Sequence, residues 1–129
     1  MWYNITNMED IEMLMKKFGN FHDSCLKEMK YVSGAFINSD LSMYPINDKR
    51  SLKIKFQRQY ENPMTIEIEF LELIKLNLEP CNEMFSAEVR GVSMFFKDSY
   101  IYWYDNNTYK KSENNTWICA KKAKWRICK

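Results

Sequence analysis

SLKIKFQRQYENPMTIEIEF, residues 51–70, settles how the chain folds. In its first half Leu52, Ile54, Phe56 and Tyr60 fall on one face of an extended chain, and Lys53, Lys55, Gln57 and Gln59 on the other. In its second half Met64, Ile66, Ile68 and Phe70 alternate with Thr65, Glu67 and Glu69. A side-chain period of two is the signature of a strand with one buried face. Glu61-Asn62-Pro63 between the halves has turn chemistry, so the stretch is predicted as an antiparallel hairpin. Pairing Tyr60 with Met64 sets Phe56 opposite Ile68 and Lys55 opposite Glu69. Apolar side chains then meet inside and opposite charges meet outside.

The same period runs on toward the C-terminus. LELIKLNL changes phase, which predicts a bulge near residue 73 or 74, and Gly91 marks a second phase change and a second expected bulge. TWICAKKAKWRIC reads as a final unbroken strand with Trp117, Cys119, Ala123, Trp125 and Ile127 inward. Residues 24–37 read as a strand pair or one bent strand, and the polar run 105–115 as a long exposed loop. Helical spacing occurs only near the start, over about residues 7–18, where Met8, Ile11, Leu14, Met15 and Phe18 make a stripe. Thr6 with Glu9 forms a capping box or Asn7 caps instead, and Gly19 stops the helix. With no second helix for a crossover, parallel pairing is not expected. The predicted fold class is α+β, a single domain over residues 1–129. One N-terminal helix packs on a strongly bent, mostly antiparallel sheet of six to eight strands, sandwich-like or partly closed as a barrel, with the β-rich body over about residues 22–128.

Composition narrows function. The chain has 129 residues, 46% apolar and 28% charged, with net charge +2. That balance supports a packed core rather than disorder, and no apolar run reaches the ~18 residues of a membrane span. A soluble, cytoplasmic protein is expected. Cys25, Cys81, Cys119 and Cys128 lack the close spacing of zinc or redox pairs, so free thiols and no metal or cofactor are expected.

Four features could carry chemistry. FHDSC, residues 21–25, holds the only histidine. His22, Asp23 and Ser24 cannot converge as a triad from adjacent positions, whereas His22 and Cys25 could approach within a turn, the arrangement a hydrolase would need. Without a glycine-rich oxyanion element, the stretch reads as a turn capped by Asp23 or Ser24, with His22 held by a neighbour. Tyr100, Tyr102 and Tyr104 share one face of YIYWY and Ile101 and Trp103 the other; such a strand is either covered on both sides or presents an aromatic ladder to a partner. Lys122, Lys124 and Arg126 make a basic stripe in a C-terminal segment, 109–129, of charge +6, but the rest of the chain sums to −4, which argues against nucleic acid. Arg58 falls on the inward phase of its strand, where a guanidinium either snorkels to water or grips an acidic ligand.

Three blocks carry a resemblance: FGNFHDSCLKEMKYVSGAF (18–36), LSMYPINDKRSLKIKFQRQY (41–60) and TWICAKKAKWRI (116–127). They resemble small uncharacterised bacterial proteins of an "FHDS" kind. These are similar in turn to β-rich immunity proteins of bacterial toxin systems, which place an F-H-D turn before the first strand. The resemblance implies a non-catalytic protein that binds another protein, such as a toxin, without a membrane. Its partner would meet the aromatic strand (Tyr100, Tyr102, Trp103, Tyr104) or the turn at His22 and Asp23. The alternatives are a small-ligand binder using Arg58 and tyrosines between sheet and helix, and a hydrolase built around His22 and Cys25.

Overall fold

The computed structural model describes residues 1–112 and 114–129. The strands are β1 (Tyr3–Ile5), β2 (Ser24–Val32), β3 (Phe36–Ile37), β4 (Met43–Tyr44), β5 (Ser51–Arg58), β6 (Thr65–Asn77), β7 (Glu88–Val89), β8 (Ser93–Lys97), β9 (Tyr100–Tyr104) and β10 (Trp117–Cys128). Helix α1 spans Met8–Lys17. The main sheet is antiparallel, in the order β7-β2-β5-β6-β10-β9-β8. One side of β10 is divided between β9, at Trp117–Ala120, and β1, at Ala123–Trp125. Strands β3 and β4 form a separate two-stranded arm.

The two edge strands of that order, β7 and β8, are consecutive in the chain and separated only by Arg90, Gly91 and Val92. Four residue steps span at most about 14 Å. A flat sheet of seven strands would hold its edges roughly 29 Å apart at 4.8 Å per strand. The sheet must therefore curl until its edges nearly meet, and it forms a partial barrel. α1 covers the open side. Ile11, Leu14 and Phe18 from the helix, with Phe21, join Leu52, Ile54, Phe56, Ile66, Ile68 and Phe70 in one apolar cluster with Ile101, Trp103, Ile118 and Trp125.

Helix signals act largely as the sequence implies. Asn7 is the N-cap, its side chain accepting from the Asp10 N–H at 2.9 Å. Asp10 takes the reciprocal role, accepting from the Thr6 N–H and hydroxyl. These bonds hold the Asp10 carboxyl below its usual range. Gly19, at φ +59°, ends the helix in the left-handed region.

The hairpin forms with its faces as predicted but its register differs by two. Phe56 pairs with Ile66, Ile54 with Ile68, Lys53 with Glu69 and Lys55 with Glu67. Tyr60, at φ 74°, leaves the ladder and points to solvent, so the loop is longer than the three residues expected. A shift of two keeps every side chain on its face. The bulge in β6 is at Ile74, where the register with β10 shifts between Cys119 and Ala120. The final strand is not unbroken. Ile118 and Ala120 face the core, Lys121 and Lys122 are both exposed, and Ala123 and Trp125 face the core again. Trp117 and Cys119 therefore point outward with their partners Tyr104 and Tyr102, and Ile127 reaches the rim. The opposite strand breaks phase at the same place, at Glu72 with φ 52°, whose carboxylate lies 4.0 Å from Lys121 and 3.4 Å from Lys122. Gly91 belongs to the edge-to-edge link rather than to a bulge; an added Cβ would sit 3.4 Å from that of Asn107.

Gly19 is also held by space: an added Cβ would lie 2.9 Å from Nη1 of Arg58. Gly19→Ala should destabilise the fold by about 1–3 kcal/mol through left-handed strain and displacement of that guanidinium. Urea denaturation measures this, and an unchanged midpoint would contradict it.

Candidate functional site

The FHDSC stretch is a strained turn built around a buried ring. Gly19, Asn20, Phe21 and Asp23 have φ of 59°, 56°, 62° and 56°. A bulky residue at such an angle persists only where its surroundings hold it. Phe21 is fully buried, with edge contacts to Phe18 at 5.3 Å, Phe56 at 5.0 Å and Trp103 at 6.0 Å. The polar groups serve the backbone. Ser24 Oγ donates to the Phe21 carbonyl at 2.5 Å, and the Gln59 N–H donates to the Asp23 carbonyl at 3.1 Å. His22 is exposed, with Nδ1 3.2 Å from the Arg90 carbonyl, which ties the turn to the edge-to-edge link. Among the described residues no hydrogen bond joins His22 to Cys25.

Arg58 does not snorkel: it is buried and its donors are engaged by the protein itself. Its Nε donates to the Pro63 carbonyl and one Nη2 proton to the Asn62 carbonyl, both at 2.9 Å. Nη2 also donates to the Lys17 carbonyl at the helix C-terminus at 3.2 Å, and Nη1 lies 3.3 Å from Glu61. The guanidinium stacks over Phe18, 5.0 Å from the ring centre. One buried cation thus gathers the orphan carbonyls of helix and hairpin loop. Arg58→Met should cost about 2–4 kcal/mol, since those carbonyls lose their donor while remaining buried. Chemical denaturation tests this; a variant as stable as the parent would return Arg58 to the list of ligand-binding residues.

The aromatic strand splits between two environments. Ile101 and Trp103 lie in the core, where the Trp103 indole N–H is the one buried side-chain polar atom without a partner among the described residues. Tyr100 is half-buried near the β8–β9 turn. Tyr102 and Tyr104 face outward into a cluster with Phe95, which stacks on Tyr102 at 5.3 Å, and with Trp117. Residues 105–112 and 114–115 form the largely exposed loop that the sequence implies, residue 113 lying outside the described residues, and part of this loop packs on the cluster. Tyr109 packs on Phe95 at 5.4 Å, and Lys111 sits 4.6 Å from the Trp117 ring centre and 5.7 Å from that of Tyr102. Side chains stitch it down: Ser93 Oγ donates to the Asn106 carbonyl and accepts from the Tyr109 N–H, and Asn115 donates to the Asp105 carbonyl. A hydrogen bond to Cys119, followed by burial, pushes the Tyr102 phenol up to about 12. On the outer face Tyr104 is buried, whereas Tyr100 and Tyr102 stay partly exposed.

The basic stripe is neutralised in place. Lys122 meets Glu72 at 3.4 Å, Lys124 meets Glu69 at 3.4 Å and Arg126 meets the buried Glu67 at 2.8 Å. Trp2 covers Lys124 and Arg126, its ring centre 4.8 and 4.5 Å from their charged groups. Four free cysteines are dispersed, and among the described residues no three His, Cys, Asp or Glu side chains form a metal-binding group. Among the described residues no helix is long and apolar enough to cross a membrane.

Two features that the sequence did not single out remain. The first is a polar cleft of about 550 Å³ at the seam where the sheet edges meet, lined by Glu79, Glu88, Arg90, Asp105, Asn107 and Thr116 among others. Burial pushes the Asp105 carboxyl up to about 6. The second is the β3–β4 arm. Phe36, Ile37, Met43 and Tyr44 are exposed, and Leu41 and Ile46 are 84% and 91% exposed. The arm is nonetheless built: Phe36 stacks on Tyr44 at 5.0 Å, and Asn38 and Leu41 close the tip. At the base, Asn47 donates to the Ser33 carbonyl, and Arg50 donates to the carbonyls of Asn47 and Leu73. An apolar pair in a short segment looks the same in sequence whether it is buried or bare. Only the tertiary placement of FI and MY reveals the patch.

Comparison with known proteins finds no matching family model, no matching curated protein and no matching solved structure.

Because Asp105 titrates higher folded than its ordinary 3.8, the fold favours its protonated form. Its ionisation therefore removes stability as pH rises from about 4 to about 6. Asp105→Asn should match the parent near pH 4 and exceed it by about 1 kcal/mol above pH 7, a figure discounted for solvent screening at a partly exposed group. Denaturation at both pH values checks this, and a pH-independent difference would contradict it.

Proposed function

We propose that this chain is a non-catalytic protein-binding module, of the kind that blocks a toxin by occupying its surface, and that the β3–β4 arm is its contact. The exposure of six large apolar side chains on one clamped arm carries this reading. Contiguous exposed apolar surface that costs solubility marks interaction sites, and rigid anchors bind at lower entropic cost than mobile ones. The partly covered tyrosines and the backbone-bonded FHD turn favour residues 36–46 over residues 100–104 and 22–23 as the contact. A second reading, a small-ligand binder, is favoured by the seam cleft with Asp105 rather than by Arg58.

Full burial of Leu41 and Ile46 in a partner would contribute about 1.5–3 kcal/mol each. Leu41→Asp/Ile46→Asp should therefore weaken capture of a specific partner from the native cell by at least about 100-fold with an unchanged melting temperature. If the partner is a toxin, co-expression with the parent chain restores growth and the double variant does not. Equal capture by both proteins would refute the arm as the contact.

A further inference from the structure

The outer face of the sheet carries rows of charge that run across the strands. In one row Glu28 of β2 lies opposite Lys55, Lys55 opposite Glu67, and Glu67 opposite Arg126, so the signs alternate throughout. Ion pairs close both ends, Lys55 to Glu28 at 3.3 Å and Arg126 to Glu67 at 2.8 Å. The next row begins with Lys30 opposite Lys53, then Glu69, then Lys124. Lys53 and Lys124 share Glu69, at 3.8 and 3.4 Å. Lys30 faces a like charge and has no carboxylate of its own chain within ion-pair distance among the described residues. Like charges directly opposite are destabilising unless a counter-charge lies alongside. The vacant neighbour of Lys30 is on the far side of β2.

That side is an open sheet edge. β5 occupies the inner edge of β2 from Ser24 to Val32, whereas β7 occupies the outer edge only at Ser24 and Cys25. One further bond runs from the Leu26 N–H to the Ala87 carbonyl. From Lys27 to Val32 no strand lies beside the outer edge among the described residues, and Lys27, Glu28, Lys30, Tyr31 and Val32 are exposed. An unpaired row of N–H and C=O groups is a template for another strand.

We propose that this edge pairs antiparallel with the same edge of a second copy of the chain, on a two-fold axis at Met29. Charge selects both the occupant and the register. With the axis at Met29, Glu28 of each copy opposes Lys30 of the other, Lys27 opposes Tyr31, and Met29 opposes itself. Lys30 gains the carboxylate its own sheet lacks, and the alternating row continues into the partner as Lys30, Glu28, Lys55, Glu67, Arg126. An axis at Lys30 or Glu28 would set like charges face to face, and one at Tyr31 would leave Glu28 and Lys30 without counter-charges. Directly opposed residues of antiparallel strands share a face, so no half-residue register exists. The bulge at Lys27, where the pairing of β2 with β5 shifts between Leu26 and Glu28, ends the paired segment on each side. So short a ladder buries less than the ~800 Å² per partner of standard interfaces, and the dimer is weak and concentration-dependent.

Sedimentation equilibrium across the micromolar to millimolar range tests this. The parent chain should show a monomer–dimer equilibrium. Lys30→Glu, at an exposed site without an ion pair of its own, should weaken it about tenfold or more, and Glu28→Lys/Lys30→Glu should restore it. Met29→Cys should give a covalent dimer on mild oxidation, with mass spectrometry placing the link between the two introduced thiols. The inference rests on β2 and not on the arm, so Leu41→Asp/Ile46→Asp should leave the dimer intact even where partner capture is lost. A chain that stays monomeric throughout the range, a dimer indifferent to Lys30→Glu, a charge swap that fails to restore it, or Met29→Cys chains that link only through native thiols would overturn it.

Discussion

The link Arg90–Gly91–Val92 is the constraint on which the architecture depends. It forces the two edges of a seven-strand path into proximity, and an antiparallel sheet meets that demand only by coiling more than its intrinsic twist requires. Along this path β6 and β10 break phase together, at Glu72 and at Lys121–Lys122. The same closure creates the concave side into which α1 sinks Ile11, Leu14 and Phe18. It also explains why the histidine turn is strained: His22 bonds to the Arg90 carbonyl, and Phe21 must enter the core just beside that bond. Burial of a complete phenyl ring offsets the backbone cost.

Arg58 performs a second closure, at the opposite end of the logic from catalysis. A guanidinium in a strand's apolar phase is often the mark of a ligand site, but here its donors go to main-chain carbonyls from two elements and one exposed glutamate. The helix C-terminus, which carries partial negative charge, is docked on the hairpin through a cation. The sequence left open whether this guanidinium snorkels or grips a ligand, and its four partners join helix and hairpin loop.

Much of the fold was legible from local pattern because alternation in β5 and β6 is a property of neighbouring residues. Faces came out correctly and register did not, since register was decided by Tyr60 leaving the ladder and by the loop wrapping Arg58. The break in β10 was hidden because Lys121–Lys122 read equally well as one more outward step. β1 is only three residues long and is a strand because β10 offers it an edge. The loop after β9 was legible from composition, but not the bonds by which Ser93 and Asn115 fix it to the body of the fold. Among candidate sites, the polarity of FHDSC and the oddity of Arg58 were visible. Their partners, Arg90 and Lys17, lie 68 and 41 residues away and were not.

The position of β10 has a consequence for how the fold assembles. It follows in chain order every strand it pairs with, yet it sits inside the sheet, with β6 on one side and β9 and β1 on the other. Until residues 117–128 are in place, the β2-β5-β6 meander and the β8-β9 hairpin are separate ribbons with bare edges on either side of a missing slat. Long-range closure of that kind is slow and leaves a sticky intermediate open to wrong neighbours. Loss of residues 117–128 would therefore leave two ribbons without a common sheet rather than a weakened barrel.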